Sequence, residues 1–325
     1  MRRFGALALA LALAACAQPR PELPSAPVPA GPDITISAQP VPLDPTDPRH
    51  NKIGDFSYAG GMVLTSAQTS RLHGLSDLKV WPDGRVLIVG DEGDLVEARL
   101  ALDYTGGPSG LINGKLTSII GEDGQPLRSH GKAEADSEGI AELANGDRLI
   151  SLEEDDRILL YPRGGGLPRQ APKPHIGYVF NKGMEGLAAY PAGGPDAYLV
   201  GIEATGDTYI CHLASACVKD RTIALSDGYE LSALEPLSSG RLAVLLRAFD
   251  PLRGVRIVLR IVDAKGAVID ELHLARPLTV DNYEGLASAP SPNGGLRFYL
   301  IADDNFSKLQ RTLFVAFDWR PGTGS

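Results

Sequence analysis

Apolar residues in this chain alternate with polar ones in short runs and do not recur every three or four positions. Arg148-Leu149-Ile150-Ser151-Leu152 and Arg157-Ile158-Leu159-Leu160-Tyr161 flank a polar tip, and a turn at Asn145-Gly146-Asp147 precedes them. Residues 197–202, 207–210 and 221–225 read the same way, as do 241–246, 255–262 and 267–274. Short β-branched runs bounded by Gly, Asn, Asp or Pro are strands. No long amphipathic helical pattern appears, so the chain is all-β.

The runs are grouped by a repeated phrase. Ser137-Glu138-Gly139-Ile140-Ala141-Glu142-Leu143, Met184-Glu185-Gly186-Leu187-Ala188 and Tyr283-Glu284-Gly285-Leu286-Ala287 are close copies, while His73-Gly74-Leu75-Ser76 and Ser232-Ala233-Leu234-Glu235 are looser ones. Aligning the small residue gives Gly74, Gly139, Gly186, Ala233 and Gly285, at intervals of 65, 47, 47 and 52 residues. A repeat of that length built from four strands is a propeller blade. The second repeat takes its fourth strand from residues 175–180. The pattern therefore predicts a single β-propeller of five four-stranded blades over residues 51–321. The long first interval, with its Gly-rich excursion at 105–114, leaves room for a sixth. The last repeat is one strand short, and the run Asp55-Phe56-Ser57-Tyr58 with Met62-Val63-Leu64-Thr65 is spare at the other end. Pairing this N-terminal strand into the last blade would remove two open edges.

Ahead of the propeller, Arg2 and Arg3 precede an apolar run at 4–15 that is shorter than the ~20 residues a bilayer span requires. The run ends Leu13-Ala14-Ala15-Cys16, the form of a bacterial lipobox. Residues 1–15 then form a lipoprotein signal peptide, and Cys16 anchors the mature protein to a membrane through lipid. An ordinary signal peptide containing a cysteine is the alternative. Ten prolines between Pro19 and Pro48 make residues 16–50 a spacer. These readings place the protein in the cell envelope as a periplasm-facing lipoprotein of the outer membrane. With Cys16 lipidated, Cys211 and Cys217 remain as a candidate disulfide in an oxidising compartment. A metal site built from this pair and His212 is the competing reading.

The formal charge is −9, and loss of the two arginines with the signal peptide takes it to −11. No basic run occurs, which argues against a nucleic-acid partner. No Gly-x-Ser-x-Gly elbow, HExxH or Walker A loop is present.

In an antiparallel blade the first strand begins beside the end of the second. Two columns of side chains therefore meet at one face of the disc. The inner column is His73, Glu138, Glu185, Ser232 and Glu284, and the outer is Asp91, Glu153, Glu203, Arg247 and Asp303; seven of the ten are carboxylates. Converging carboxylates raise one another's pKa unless a cation intervenes. Hard oxygen ligands around a ring suit Ca²⁺, which takes about six to eight of them. Glu138, Glu185, Glu284 and His73 are the catalytic candidates, and Asp91, Glu153, Glu203 and Asp303 the metal-ligand candidates. Arg157, Lys308 and Arg311, at the starts of third strands, join Arg247 as candidates for binding substrate. The same pattern, read residue by residue, also describes solvated turns.

The series Gly74-Leu75-Ser76, Asp91-Glu92-Gly93-Asp94, Asp136-Ser137-Glu138-Gly139, Met184-Glu185-Gly186-Leu187, Leu231-Ser232-Ala233-Leu234-Glu235-Pro236-Leu237, Tyr283-Glu284-Gly285-Leu286 and Asp303-Asp304-Asn305 resembles the phytase-like propeller family, described by the phrase "esterase-like activity of phytase". The resemblance implies a β-propeller, export, and calcium-assisted hydrolysis of phosphate esters or related esters. Propellers also serve as binding modules. The two functions to separate are therefore a hydrolase of a small-molecule ester and a non-catalytic propeller that binds an envelope component.

Overall fold

A computed structural model of the chain describes residues 33–320. The calls on the signal peptide and on Cys16 lie outside the described residues.

Five consecutive antiparallel sheets are each built outward from an inner strand. The inner strands are Leu75–Val80, Ser137–Glu142, Gly186–Ala189, Tyr229–Pro236 and Asn282–Pro290. They touch one another in cyclic order, the last against the first. The result is a five-bladed β-propeller whose blades contain at least four strands. The long first interval holds no sixth blade among the described residues. It is taken up by the long strands Asp94–Leu102 and Pro108–Ser118 and by two helical turns, Leu127–His130 and Lys132–Ala135.

In the fifth blade, Phe56–Thr65 lies antiparallel to Leu313–Trp319 as the fourth strand. The stretch assigned to the spacer differs from expectation, because the chain is already folded at Asp33. Ser37–Pro40 pairs with Phe56–Thr65, and Asp33–Ile34 pairs with Pro108–Ser118 of the first blade. Ile34, Ile36 and Leu43 are buried, so these few apolar side chains outweigh the proline-rich composition. Pro40 is tolerated because an edge strand need not donate every N–H. A second correction concerns blade 2. Its outer strand is only Arg169–Gln170, and residues 175–180 form no strand; Val179 and Phe180 are exposed. The outer strand of blade 3 is Ser215–Thr222, displaced toward the N-terminus from the predicted 221–225.

The repeated glycine follows from crowding near the axis. A Cβ on Gly139 would lie 2.6 Å from Leu187 Cβ and 3.0 Å from the Glu185 carbonyl oxygen, both in the next blade. On Gly285 it would lie 2.7 Å from the Asp77 Cα and 2.6 Å from Ile301 Cγ2. Backbone cannot step aside cheaply, so blade-to-blade approach selects glycine here. Blade 4 carries Ala233 at this position, buried without a loss of register beyond the common bulge. Gly285→Ala should therefore lower the unfolding free energy by about 1–3 kcal/mol, as overpacking does, whereas Ala233→Gly should cost about 1 kcal/mol or less. Urea unfolding of the two variants checks the contrast.

Candidate metal centre

The strand register delivers the acids. Ser137 faces Leu152, Gly186 faces Gly201, Glu230 faces Arg247 and Asn282 faces Asp303, so inner-strand starts and second-strand ends share one end of the axis. In blades 1, 2, 4 and 5 the pairing skips one inner-strand residue: Ser76, Glu138, Ser232 and Glu284 respectively. A β-bulge of this kind re-aims its side chain.

The bulge corrects the inner column. Its member in blade 1 is Ser76, and His73 lies three residues ahead of the strand position assigned to it. Asp77 therefore stands where blades 2, 3 and 5 have glycine and blade 4 has Ala233. Its carboxylate accepts backbone N–H bonds from Ile140 at 3.0 Å and Leu286 at 3.3 Å. Asp77 thus pins blade 1 to both neighbours, with Lys79 as its counter-ion at 3.1 Å.

Glu138, Glu153, Glu185, Glu203, Glu284 and Asp303 are all buried. Asp136, Glu138 and Glu153 place carboxylate oxygens within 4.8 Å of one another, and so do Glu153, Glu185 and Glu203. Glu153 belongs to both groups, which makes them one continuous arc. Arg247 sits among the acids as their counter-ion. Its guanidinium donates to Glu284 at 2.5 Å, Asn282 at 2.9 Å and Glu203 at 3.2 Å. On the opposite side Lys132 donates to Asp91 Oδ2 at 2.8 Å and to Asp136. Two buried oxygens, Asp91 Oδ1 and Glu203 Oε2, have no hydrogen-bond partner.

This crowding is reflected in the pKa values. Burial, then the charges of neighbouring acids, pushes Glu138 and Glu185 well above the carboxylate range. Burial raises Glu153 to about 7, against the opposing Gly183 N–H bond, and Glu284 to about 7, against Arg247. Asp91 rises to about 6 through burial, opposed by Lys132.

The remaining candidates are dispersed. His73 Nδ1 lies 2.7 Å from Asp304 Oδ2 at the seam of blades 1 and 5, and this bond raises the imidazole pKa. Arg157 does not join the acids of the arc, since it is occupied by Glu122, Glu134 and Asp155. Lys308 and Arg311 are exposed at the rim, where Arg311 contacts Asp281 at 3.4 Å. A cavity of about 1000 Å³ runs from this rim past Arg276 to Arg247 and Asn282. Cys211 and Cys217 are disulfide-bonded with Cα atoms 4.1 Å apart, and His212 is engaged by Asp196, so that metal reading is set aside.

Lys132, Asp136 and Asn282 escaped the sequence reading. Lys132 stands four residues before Asp136 on a single helical turn. That i, i+4 spacing was the available signal, but a helix of one turn leaves no amphipathic period to detect.

The phytase-like family, described as "Esterase-like activity of phytase", matches residues 70–306, and the chain belongs to this family. No match is found among curated proteins. Similar solved structures include a putative gluconolactonase, at 15% identity over 90% of this chain and 91% of that one, with a TM-score of 0.46. Virginiamycin B lyase from Staphylococcus aureus matches at 9% identity over 88% and 100%, with a TM-score of 0.41. A chain of a nidogen/laminin complex matches at 13% over 76% and 84%, with a TM-score of 0.44. Likenesses this distant carry no weight for function.

Unfolded carboxyls release their protons near pH 4, whereas Asp91, Glu153 and Glu284 hold theirs to about 6 or 7 in the folded state. The folded form binds more protons across that window, so stability without metal falls as pH rises from 5 to 8. Thermal unfolding in EDTA should show a higher Tm at pH 5.5 than at pH 8. Arg247→Met should cost about 3–5 kcal/mol at pH 8, as for a broken buried pair, and less at pH 5.5, where protons replace the missing cation.

Proposed function

We propose that this propeller is a calcium-dependent hydrolase of phosphate esters or related esters, exported and tethered to the outer membrane through lipid on Cys16. The observation that carries the reading is a cluster of buried carboxylates in which two oxygens, Glu203 Oε2 and Asp91 Oδ1, have no hydrogen-bond partner. Groups so deeply buried need a partner that supplies positive charge. Arg247 and Lys132 together cannot balance the arc. Oxygen-only donors at mutual distances within 4.8 Å fit a hard divalent cation.

Glu153, Glu185 and Glu203 would hold the ion, with Asp91 and Asp303 completing the rim. Bound calcium would supply polarisation of a phosphoryl oxygen and acidification of water. Arg247 keeps Glu284 and Glu203 in fixed orientation. Arg276 and Arg311 line the cavity through which an anionic ester reaches the acids. Asp304 accepts a hydrogen bond from His73 Nδ1–H, which leaves Nε2 for proton transfer to or from the ester. The Phe56–Thr65 strand, in the same reading, closes the ring and fixes the seam where His73 lies. The Cys211–Cys217 disulfide is in keeping with export.

Hydrolysis of p-nitrophenyl phosphate by the soluble body should require Ca²⁺, stop in EDTA, and fall about 100-fold or more in Glu185→Gln. Turnover indifferent to EDTA would overturn the reading. Calcium-dependent stabilisation without turnover on any ester would leave a binding module. Cys16→Ser should move the protein from the membrane to the soluble fraction of cells, as immunoblotting of fractions would show.

A further inference from the structure

We propose that the ester processed at the acidic arc carries one apolar group, aryl or alkyl, which seats in a separate cavity beside His73. This inference rests on the hydrolase reading and deepens it. The cavity has a volume of about 530 Å³ and lies between the end of the Phe56–Thr65 strand of blade 5 and the chain leading into blade 1. That is ample for a small organic group. Its walls are largely apolar, with Val63, Leu64, Ala67, Leu72 and Phe306 among them. Cations at Lys308 and Arg311 stand at its border.

The cavity opens on the same face as the acids. The strand Phe56–Thr65 ends there, Leu313–Trp319 begins there, and Leu296–Asp303 delivers Asp303 there. Its inner wall is the His73–Asp304 pair. Asp304 follows Asp303 directly and accepts hydrogen bonds from the His73 ring at 2.7 Å, Thr312 Oγ1 at 2.8 Å, Phe306 N at 3.2 Å and Gly74 N at 3.3 Å. The Gly74 carbonyl in turn accepts from the Asp91 N–H at 2.8 Å. The imidazole thus lines the apolar chamber, and the next residue, Gly74, is bonded to the backbone of Asp91 at the rim of the acids. The His73 ring lies 5.9 Å from that of Phe306. Asn305 and Phe306 adopt φ of +48° and +51°. Left-handed backbone at a bulky residue costs about 1–2 kcal/mol, and such strain persists where surrounding structure imposes it. Here it turns the phenylalanine side chain in to form the chamber wall.

A leaving group placed there would have His73 Nε2 beside its bridging oxygen. When that bond breaks, the electron pair stays on the leaving oxygen and the protonated imidazole supplies its proton; water supplies the hydroxyl retained by the phosphorus, and the proton that this water gives up returns to the imidazole. A polyanion such as an inositol polyphosphate would press charged groups against Leu64, Leu72 and Phe306 inside the chamber, beyond the two cations at its border, which is unfavourable. A monoester of an apolar alcohol meets no such penalty.

The test compares 1-naphthyl phosphate with glycerol 2-phosphate and inositol hexakisphosphate, in wild type and in Ala67→Trp, which fills the chamber from its exposed rim. Turnover is followed with Ca²⁺, and naphthyl fluorescence reports binding with Ca²⁺ and in EDTA. The expected kcat/KM favours 1-naphthyl phosphate by roughly tenfold or more, and Ala67→Trp should shrink that preference roughly tenfold. Should Ala67→Trp fail to fold in a urea melt, Ala67→Glu at the same rim is read instead. Naphthyl binding that Ala67→Trp weakens, without turnover of any ester, would uphold the chamber and remove the hydrolase reading. Turnover that favours glycerol 2-phosphate or inositol hexakisphosphate would overturn the inference and leave the hydrolase standing. Absence of naphthyl phosphate binding in both conditions would overturn it too.

Discussion

Electrostatic crowding at one end of the propeller axis is the constraint on which the rest of this structure depends. Repetition is its source: each blade uses the same register, so an acid at the start of an inner strand in one blade is met by acids from the next. Glu138, Glu185 and Glu284 arrive from inner strands, and Glu153, Glu203 and Asp303 from second strands. Folding then buries all six. Such a cluster survives only with charge compensation, and the chain supplies part of it through Arg247 and Lys132. The remainder falls to protons in acid and, in the reading developed above, to a divalent cation near neutral pH.

Rigidity makes the crowding possible. Glycine at positions 139 and 285 lets backbone from adjacent blades approach within the space of a methyl group. Asp77 replaces that glycine in blade 1 and ties its neighbours' N–H groups instead. A frame with looser inner strands would relieve the repulsion by spreading apart. This one holds the carboxylates in place, so relief must come from changes in protonation or from a bound ion.

Much of this was legible in the sequence, because a period-2 pattern and a repeated Glu-Gly phrase encode register directly. Spacing gives five repeats, while leaving room for a sixth, and brings inner-strand starts to second-strand ends; the Cys211–Cys217 bond follows from the pair of cysteines that remains once Cys16 is assigned to lipid. What was not legible has specific causes. The inner column failed in blade 1 because His73-Gly74 imitates Glu-Gly, while the bulge at Ser76 sets the true register. The strands at Asp33–Ile34 and Ser37–Pro40 were hidden in proline-rich composition, since only their tertiary partners stabilise them. In blade 2 an outer strand of two residues, Arg169–Gln170, left too short a pattern to detect, and the apolar segment near Val179 drew the assignment. Arg157 carried the right charge at the right strand start, yet three acids outside the arc occupy it.

Calorimetric titration of the EDTA-stripped protein with Ca²⁺ at pH 6.5, repeated in buffers of different ionisation enthalpy, counts the protons displaced by each ion. Because Glu153, Glu284 and Asp91 are pushed up to about 7, 7 and 6, binding should release about one proton or more per ion, as metal and proton compete for the same oxygens. Absence of binding, or binding with no proton release, would contradict the claim that a cation lets these buried acids coexist.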